Sequence, residues 1–195
     1  MKYKHTKRIL DLLFCVITFP LVITIIFFAG LLNKILHVNE KIFFVQKRIG
    51  YKNRHFNIYK IRTMSSSGAS NNFASQKDFR VDKYGLFLRK YRIDELPQFL
   101  NIFKGDMSLI GPRPEQVHIV DDLVKKYGNK FYKRHDVLPG ITGLSQVEFG
   151  YVANYEDYFH KLEYDLEYVK NFNFITDLRI FFKTFVVILF KFGSR

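Results

Sequence analysis

The chain has one cysteine, Cys15, in 195 residues. A lone thiol rules out an internal disulfide and suits a reducing compartment. Tryptophan is absent, and acidic residues are scarce: 18 Asp and Glu against 31 Lys and Arg, a net charge of +13. That imbalance implies an anionic partner, which can be nucleic acid, acidic lipid or a phosphorylated substrate. The six histidines are scattered, with no pair at ligand spacing, which argues against a zinc site. Aromatic residues make up 17%, all of them Phe and Tyr. This is too apolar for a disordered basic tail and suits a core plus a membrane-facing surface. The length allows one globular domain with an appendage.

The appendage is legible from Ile9 to Leu32, where Asp11, Thr18 and Thr24 are the only clearly polar residues. A straight helix of this length reaches roughly 36 Å, enough for a hydrocarbon core of about 30 Å. The simple reading is one spanning helix. Two features favour a re-entrant wedge. Pro20 lies mid-run, where it removes a backbone hydrogen bond and bends the helix. Both flanks are basic, with Lys2, Lys4, Lys7 and Arg8 before and Lys34, Lys41, Lys47 and Arg48 after, so each end asks to be cytoplasmic. Asp11 is expected at headgroup depth, and the Thr18 hydroxyl is a candidate partner for backbone groups freed at the bend.

From Ile42 the pattern shortens. Ile42–Val45 and Phe56–Tyr59 read as strands around a Gly50–Asn53 turn. Lys60 and Arg62, two apart, are expected to project from one face, either as a solvated edge or as two cations for a phosphate. Ser65–Ser75, rich in Ser, Asn, Ala and Gly, reads as a mobile loop.

At the centre stands Arg92-Ile93-Asp94-Glu95-Leu96-Pro97-Gln98. Asp94 is placed to cap a helix that runs to Phe103 and stops at Gly105. Pro97 is tolerated in a first turn. Two adjacent carboxylates follow Arg89 and Arg92, and a helix N-terminus attracts phosphate. On these residues alone, a capped helix with a solvated Glu remains the simpler reading.

Downstream, Gly111-Pro112-Arg113-Pro114-Glu115 fixes Arg113 between two prolines, which lowers the entropy lost when it docks on a phosphate. Val117–Tyr127 reads as a helix with Asp121 and Asp122 outward. Pro139-Gly140-Ile141-Thr142-Gly143 signals a turn whose glycines let backbone N–H groups approach an anion, although the Lys-Ser/Thr ending of a Walker loop is missing. Leu144–Phe149 reads as a strand. Tyr155, Tyr158, Tyr164 and Tyr168 fall in an acidic helix. The apolar run Ile175–Phe192 is broken by Asp177, Arg179, Lys183 and Lys191, and reads as an amphipathic helix at an interface or under the domain.

Taken in order, the motifs resemble the bacterial sugar transferases known as monotopic phosphoglycosyl transferases, in their small form with one hydrophobic wedge. The resemblance runs from Lys7 to about Thr184. It rests on Lys7-Arg8-Ile9-Leu10-Asp11, Pro20, Gln46-Lys47-Arg48-Ile49-Gly50, Tyr59-Lys60-Ile61-Arg62-Thr63-Met64 and Gly85–Arg89. It continues through Asp94-Glu95-Leu96-Pro97-Gln98, Gly105-Asp106-Met107-Ser108, Gly111-Pro112-Arg113-Pro114 and Pro139-Gly140-Ile141-Thr142-Gly143. Each piece is weak alone; the ordered set is specific.

The resemblance implies an enzyme that moves a phosphosugar from a UDP-sugar to undecaprenyl phosphate and releases UMP, starting a surface glycan. Asp94 is then the nucleophile, with Glu95 beside it, and the pair holds Mg²⁺. Lys60, Arg62, Arg89, Arg113 and Arg134 become candidate phosphate or nucleotide contacts, and Glu115, Gly140, Thr142, Gly143 and Gln146 complete the expected substrate site. Lys7, Arg8 and Pro20 belong to the membrane segment. The implied fold is α+β: residues 1–40 form a helix-break-helix membrane wedge, and residues 41–195 form a mostly helical domain with short strands and an interfacial C-terminal helix. It sits on the cytoplasmic face of a bacterial inner membrane, with no nucleic-acid partner; a homo-oligomer is left open. Many members carry a basic residue before Pro139, where this chain has Leu138, and Arg134 or Lys133 then has to supply the charge. The competing readings are a membrane-tethered basic module that binds acidic lipid or nucleic acid without chemistry, and an inactive scaffold.

Overall fold

A computed structural model describes residues 2–65, 80–150 and 157–190. The architecture is mixed and helix-rich, with a few short strands and one long apolar helix at the N-terminus. Most of the Ser65–Ser75 loop, as well as Tyr155, Lys191 and Phe192, lies outside the described residues, as does the Lys2 side chain.

Helix α1 (Lys2–Leu36) is long and apolar enough to cross a membrane. It runs through Pro20 without interruption, so the expected break there is absent. Proline removes one backbone donor, and the helix continues on both sides of it. The Thr18 hydroxyl bonds to Phe14 O (2.8 Å), its own i−4 carbonyl, and does not serve the carbonyl of Val16 that Pro20 leaves without an amide. Thr24 does the same with Pro20 O.

One stripe of α1 packs on the rest of the chain. Lys7, Asp11, Cys15, Val22 and Asn33 are buried, at spacings of four, four, seven and eleven that keep them on one helical face. The opposite face exposes Ile9, Val16, Ile17, Leu21, Phe27 and Phe28. Contacts occur near both ends. Lys7 pairs with Asp177 at 2.5 Å and Asn33 Nδ2 donates to Arg62 O at 2.7 Å. Between them, Phe14 meets Phe99 and Phe19 meets Phe103.

This corrects the expected roles of three polar residues. Lys7 is buried between Asp177 and Asp11. Arg8 donates to Ile102 O and Phe103 O, closing the end of a helix. Asp11 accepts from Ser108 Oγ at 2.7 Å. Lys7 and Asp11 are buried, where an ion is tolerated only with partners, and Arg8 is half-buried against the end of that helix.

Strands β1 (Phe43–Ile49) and β2 (His55–Ile61) form an antiparallel hairpin, with Phe43 opposite Ile61 and Ile49 opposite His55. The connecting turn places Lys52 and Asn53 at φ 52° and 60°. The two-residue strand β4 (Glu115–Gln116) adds to the other edge of β1. A second sheet pairs β3 (Ser108–Ile110) with β5 (Gly140–Thr142) in parallel.

Helix α2 (Lys83–Lys90) is capped by Asp82, whose carboxylate accepts from Gly85 N at 2.7 Å. A 3₁₀ turn over Ile93–Gln98 leads into α3 (Phe99–Lys104), which Gly105 ends at φ 87°. Helix α4 (Val117–Tyr127) matches the predicted span, with Asp121 and Asp122 outward. Residues 144–148 form a helix, α5 (Leu144–Glu148), and not the strand read from the sequence. Gly143 O accepts from the amides of Gln146 and Val147, and a short buried run does not distinguish the two states by periodicity.

Helices α6 (Asp157–Lys170) and α7 (Phe174–Phe190) complete the chain. Helix α7 buries Asp177, Ile180 and Val187 and exposes Phe182, Phe185, Leu189 and Phe190, so it is both packed on the domain and apolar outward. Asp177 ties three helices together: it meets Lys7 and Tyr3 from α1 and accepts from Tyr168 of α6 at 2.7 Å.

Candidate active site

The site is assembled where β2, the 3₁₀ turn and the Gly111–Pro114 loop meet. Asn101, fully buried in α3, donates to Asn57 O (2.7 Å) and accepts from Tyr59 N (3.3 Å), which aligns the turn with β2. Asp94 and Glu95 fall in the first turn of the 3₁₀ segment and are 8% and 4% exposed. Asp94 does not cap: Arg92, at φ 54°, holds the N-cap position and no side chain bonds the first turn. The left-handed residue turns the chain so that both carboxylates point inward.

Glu95 is clamped by cations. Its Oε1 accepts from Lys60 Nζ and Arg113 Nη2, both at 2.7 Å, and its Oε2 lies 3.4 Å from Arg92 Nη1. Burial works against its charge, but Arg113, Lys60 and Arg92 outweigh that and hold its carboxyl well below the usual range. Burial lowers Lys60, with Glu95 opposing the change; Glu95 in turn raises Arg113.

Asp94 is in the opposite condition. Its carboxylate has no hydrogen-bond partner among the described residues. Burial pushes its carboxyl up to about 6, against Lys60, while the neighbouring charge of Glu95 adds to the rise. Arg89 and Arg113 also act on it, and Arg89 is oriented by Thr63 Oγ1 at 2.8 Å. Two adjacent carboxyls thus titrate far apart, one fixed as an anion by three cations and one held without bonds.

The Gly111–Pro114 loop is held from behind. Arg134, 2% exposed, gives Nε and Nη2 to Asp165 Oδ2 (3.0 and 2.6 Å) and Nη2 to Arg113 O (2.8 Å). Ser145 Oγ donates to the other Asp165 oxygen (2.8 Å). Arg48 Nη1 donates to Pro114 O (3.2 Å). Glu115 is buried against Lys161, with Arg134 at 3.8 Å and Tyr158 at 3.3 Å. Burial opposes its charge, but Lys161 and Arg134 prevail and its carboxyl falls to about 2.

Three glycines let the backbones touch. A Cβ at Gly140 would overlap the Gly111 amide, and one at Gly143 the Gly111 carbonyl. Gly140 N donates to Pro112 O (3.0 Å) and Gly111 N to Thr142 O (2.9 Å).

The structure therefore groups Lys60, Arg89 and Arg113 around Asp94 and Glu95, together with Arg92, noted beside the pair in the sequence but not among the expected phosphate contacts. It does not bring the other expected contacts to them in the expected way. Arg62, just past the end of β2, donates to Lys41 O and lies 3.7 Å from Glu40. Arg134 and Glu115 are internal ion-pair members, so Arg134 cannot replace a basic residue at Leu138; Lys133 is exposed. The amide of Gly140 is already bonded, the Thr142 hydroxyl pairs with Thr184 at 2.8 Å, and Gly143 packs on Gly111. Gln146 donates to Ile141 O, and its buried Oε1 has no partner. Arg48, Asp165, Ser145 and Lys161 were missed: they act on the loop from other elements, and no local pattern marks them.

No third carboxylate, His or Cys joins Asp94 and Glu95 among the described residues. Two carboxylates still fit Mg²⁺, which keeps waters and takes phosphate oxygens from the substrate in place of a full protein cage. The clamped cluster is already cationic, so such an ion fits only alongside a bound anion.

A family model described as bacterial sugar transferase matches residues 2–191. The chain is 45% identical over 195 residues to the UDP-N-acetylgalactosamine-undecaprenyl-phosphate N-acetylgalactosaminephosphotransferase of Aeromonas hydrophila, covering 99% of this chain and 46% of that protein. It is 37% identical over 174 residues to an uncharacterized sugar transferase, EpsL, of Bacillus subtilis (strain 168), covering 89% of this chain and 82% of the relative. The UDP-glucose:undecaprenyl-phosphate glucose-1-phosphate transferase of Xanthomonas campestris pv. campestris is 35% identical over 153 residues, 76% of this chain and 31% of that protein. The chain thus spans under half of the first and third of these and most of the second.

Proposed function

The chain belongs to the bacterial sugar transferase family, and from that premise we propose that it moves a phosphosugar from a UDP-sugar to undecaprenyl phosphate, with Asp94 as the nucleophile. The observation that carries this reading is the division of labour between the two buried carboxylates. Glu95 is committed to Lys60, Arg113 and Arg92, while Asp94 stands beside the same cations with no hydrogen bond of its own.

In the first step an Asp94 oxygen attacks the sugar-side phosphorus. The bond from that phosphorus to the bridging oxygen breaks, and UMP leaves with the electron pair. In the second step the lipid phosphate oxygen attacks the same phosphorus, and the aspartyl bond breaks to return the carboxylate. Splitting the transfer lets one site serve a soluble donor and then a membrane acceptor. Lys60, Arg89 and Arg113 orient the donor diphosphate and balance its charge. Asp94 and Glu95 are the residues that would hold Mg²⁺, whose chemistry is to neutralise phosphate oxygens and stabilise the leaving group.

The same reading places residues 1–40 as a membrane-anchoring segment and residues 41–195 as the catalytic domain on the cytoplasmic face of the inner membrane. Support for one-sided insertion comes from α1, which touches the domain near both ends, at Lys7 and at Asn33, roughly 39 Å apart along a straight helix. A spanning segment would carry one of those contacts across the bilayer. Because the Aeromonas hydrophila relative is named for N-acetylgalactosamine, UDP-N-acetylgalactosamine is the first donor to test.

The test is UMP release from a panel of UDP-sugars, in detergent with Mg²⁺ and undecaprenyl phosphate, with capture of a phosphosugar on the protein when acceptor is withheld. A single burst of UMP without acceptor, turnover beyond it only when acceptor is present, and a captured adduct on Asp94 are expected. Polyanion binding without UMP release from any donor would return the chain to a basic binding module.

A further inference from the structure

A cavity of about 150 Å³ lies between the 3₁₀ turn, β5–α5 and α7. Its apolar walls include Leu96, Phe99, Ile141, Val147, Val187 and Ile188. Glu95 and Arg92 also line it, whereas Lys60 and Arg113 do not. Glu95 therefore belongs both to the cavity wall, with Arg92, and to a pair of tighter contacts with two cations that are not part of that wall.

A hydrophilic ligand is poorly served here. The Thr142 hydroxyl is already paired with Thr184 and the Gln146 amide donates to Ile141 O, which leaves the Gln146 Oε1 as a single unpaired acceptor beside Glu95 and Arg92. Sugar hydroxyls would lose their water and gain few partners. A ligand that is hydrocarbon with one phosphate at its end fits better. The walls take the hydrocarbon, and Arg92 has the longest of the three contacts to Glu95, so its guanidinium has capacity to spare for a phosphate.

Size limits how much hydrocarbon enters. A cavity of about 150 Å³ accommodates a molecule the size of benzene, which is enough for one five-carbon unit. The remainder of a long chain has to continue along apolar surface, and α7 supplies it: Val187 and Ile188 line the cavity, and neighbouring Phe185, Val186, Leu189 and Phe190 are exposed.

We propose that this cavity takes the isoprene unit next to the phosphate of the polyprenyl acceptor, with Arg92 on that phosphate. The proposal rests on the transferase reading above and adds where the acceptor enters: on the α7 side of Glu95, away from the Lys60–Arg113 side that faces the donor.

The experiment compares Val187→Trp, which fills the cavity, with Ile175→Trp, on the exposed start of the same helix. Two quantities are read in detergent with Mg²⁺ and UDP-N-acetylgalactosamine, or whichever donor the wild-type chain uses. One is the acceptor-independent burst of UMP; the other is kcat/KM for undecaprenyl phosphate. Val187→Trp is expected to keep the burst within twofold and to lose tenfold or more in acceptor kcat/KM, while Ile175→Trp changes neither by more than twofold. A folded Val187→Trp with acceptor kinetics within twofold of wild type, or with burst and acceptor step lost equally, overturns the proposal. If that variant does not fold, a diazirine-bearing farnesyl phosphate is photolysed on the wild-type protein. Labelling of α5 or α7 supports the site, and labelling confined to other elements overturns it. A wild-type chain with no burst from any donor removes the transferase reading and this proposal together; a normal burst with undisturbed acceptor kinetics removes this proposal alone.

Discussion

The guanidinium of Arg134 donates to the backbone carbonyl of Arg113 across 2.8 Å, so one buried arginine holds the main chain of another. Arg134 is fixed in turn by Asp165, which Ser145 also bonds. The consequence is a chain of contacts from α6 through the Gly111–Pro114 loop to Glu95. Proline on either side restricts the backbone of Arg113, and Arg134 and Arg48 fix where that backbone sits.

Asp165→Asn leaves the Arg134 guanidinium buried without its main counter-charge. Breaking one side of such a pair costs about 3–5 kcal/mol, so the denaturation midpoint should fall strongly. Lys133→Ala, at an exposed neighbour, should stay within about 0.5 kcal/mol of wild type. Equal, small shifts in both variants would mean that the pair does not anchor the loop.

Asp94→Asn should abolish the covalent phosphosugar and reduce turnover to a background level, with the fold retained. It should also stabilise the protein at neutral pH. The carboxyl of Asp94 keeps its proton up to about pH 6 in the folded chain and only to about 3.9 when unfolded. Between those values the folded state binds more protons, so stability declines as pH rises through the window and stays lower above it. A melting-temperature gain for Asp94→Asn at pH 7.5 that shrinks toward pH 4 is expected. Wild-type activity should rise through about pH 6 as the nucleophile ionises. An Asn variant with more than a few per cent of activity would sink the covalent assignment.

Arg113→Ala removes a charge-assisted bond to Glu95 and a cation on the proposed donor side. Such a bond is worth about 1.5–3 kcal/mol, or roughly ten- to a hundredfold in donor kcat/KM. The effect on acceptor kinetics should be much smaller. Matching losses for both substrates would show that Arg113 acts on the whole site and does not serve the donor in particular.

Single cysteines at Lys4 and Lys34, both exposed, test the membrane topology. The background is Cys15→Ala, because Cys15 is fully buried among apolar side chains and a serine hydroxyl would be unsatisfied there. Both positions should resist an impermeant thiol reagent in intact cells and react once the inner membrane is opened. Reaction at position 4 alone in intact cells would mean that α1 spans.

What the sequence determined by itself is local. Alternation and a glycine-led turn placed the β1–β2 hairpin, helical spacing placed α4 and α7, and Gly105 marked the end of α3, because these follow from contacts within a few residues. The adjacency of Asp94 and Glu95 needed no fold at all. The tertiary structure decided which charges are free to act. Lys7 finds Asp177 from 170 residues away, Arg134 finds Asp165 from 31 and Lys60 finds Glu95 from 35. No periodicity records such pairings. Arg134 looks as available in the chain as Lys60, yet one is sealed in the interior and the other faces the carboxylates. Burial made the difference: a charge taken out of water must be paired where it lies, and only the packing of α6, the loop and β2 settles which partner that is.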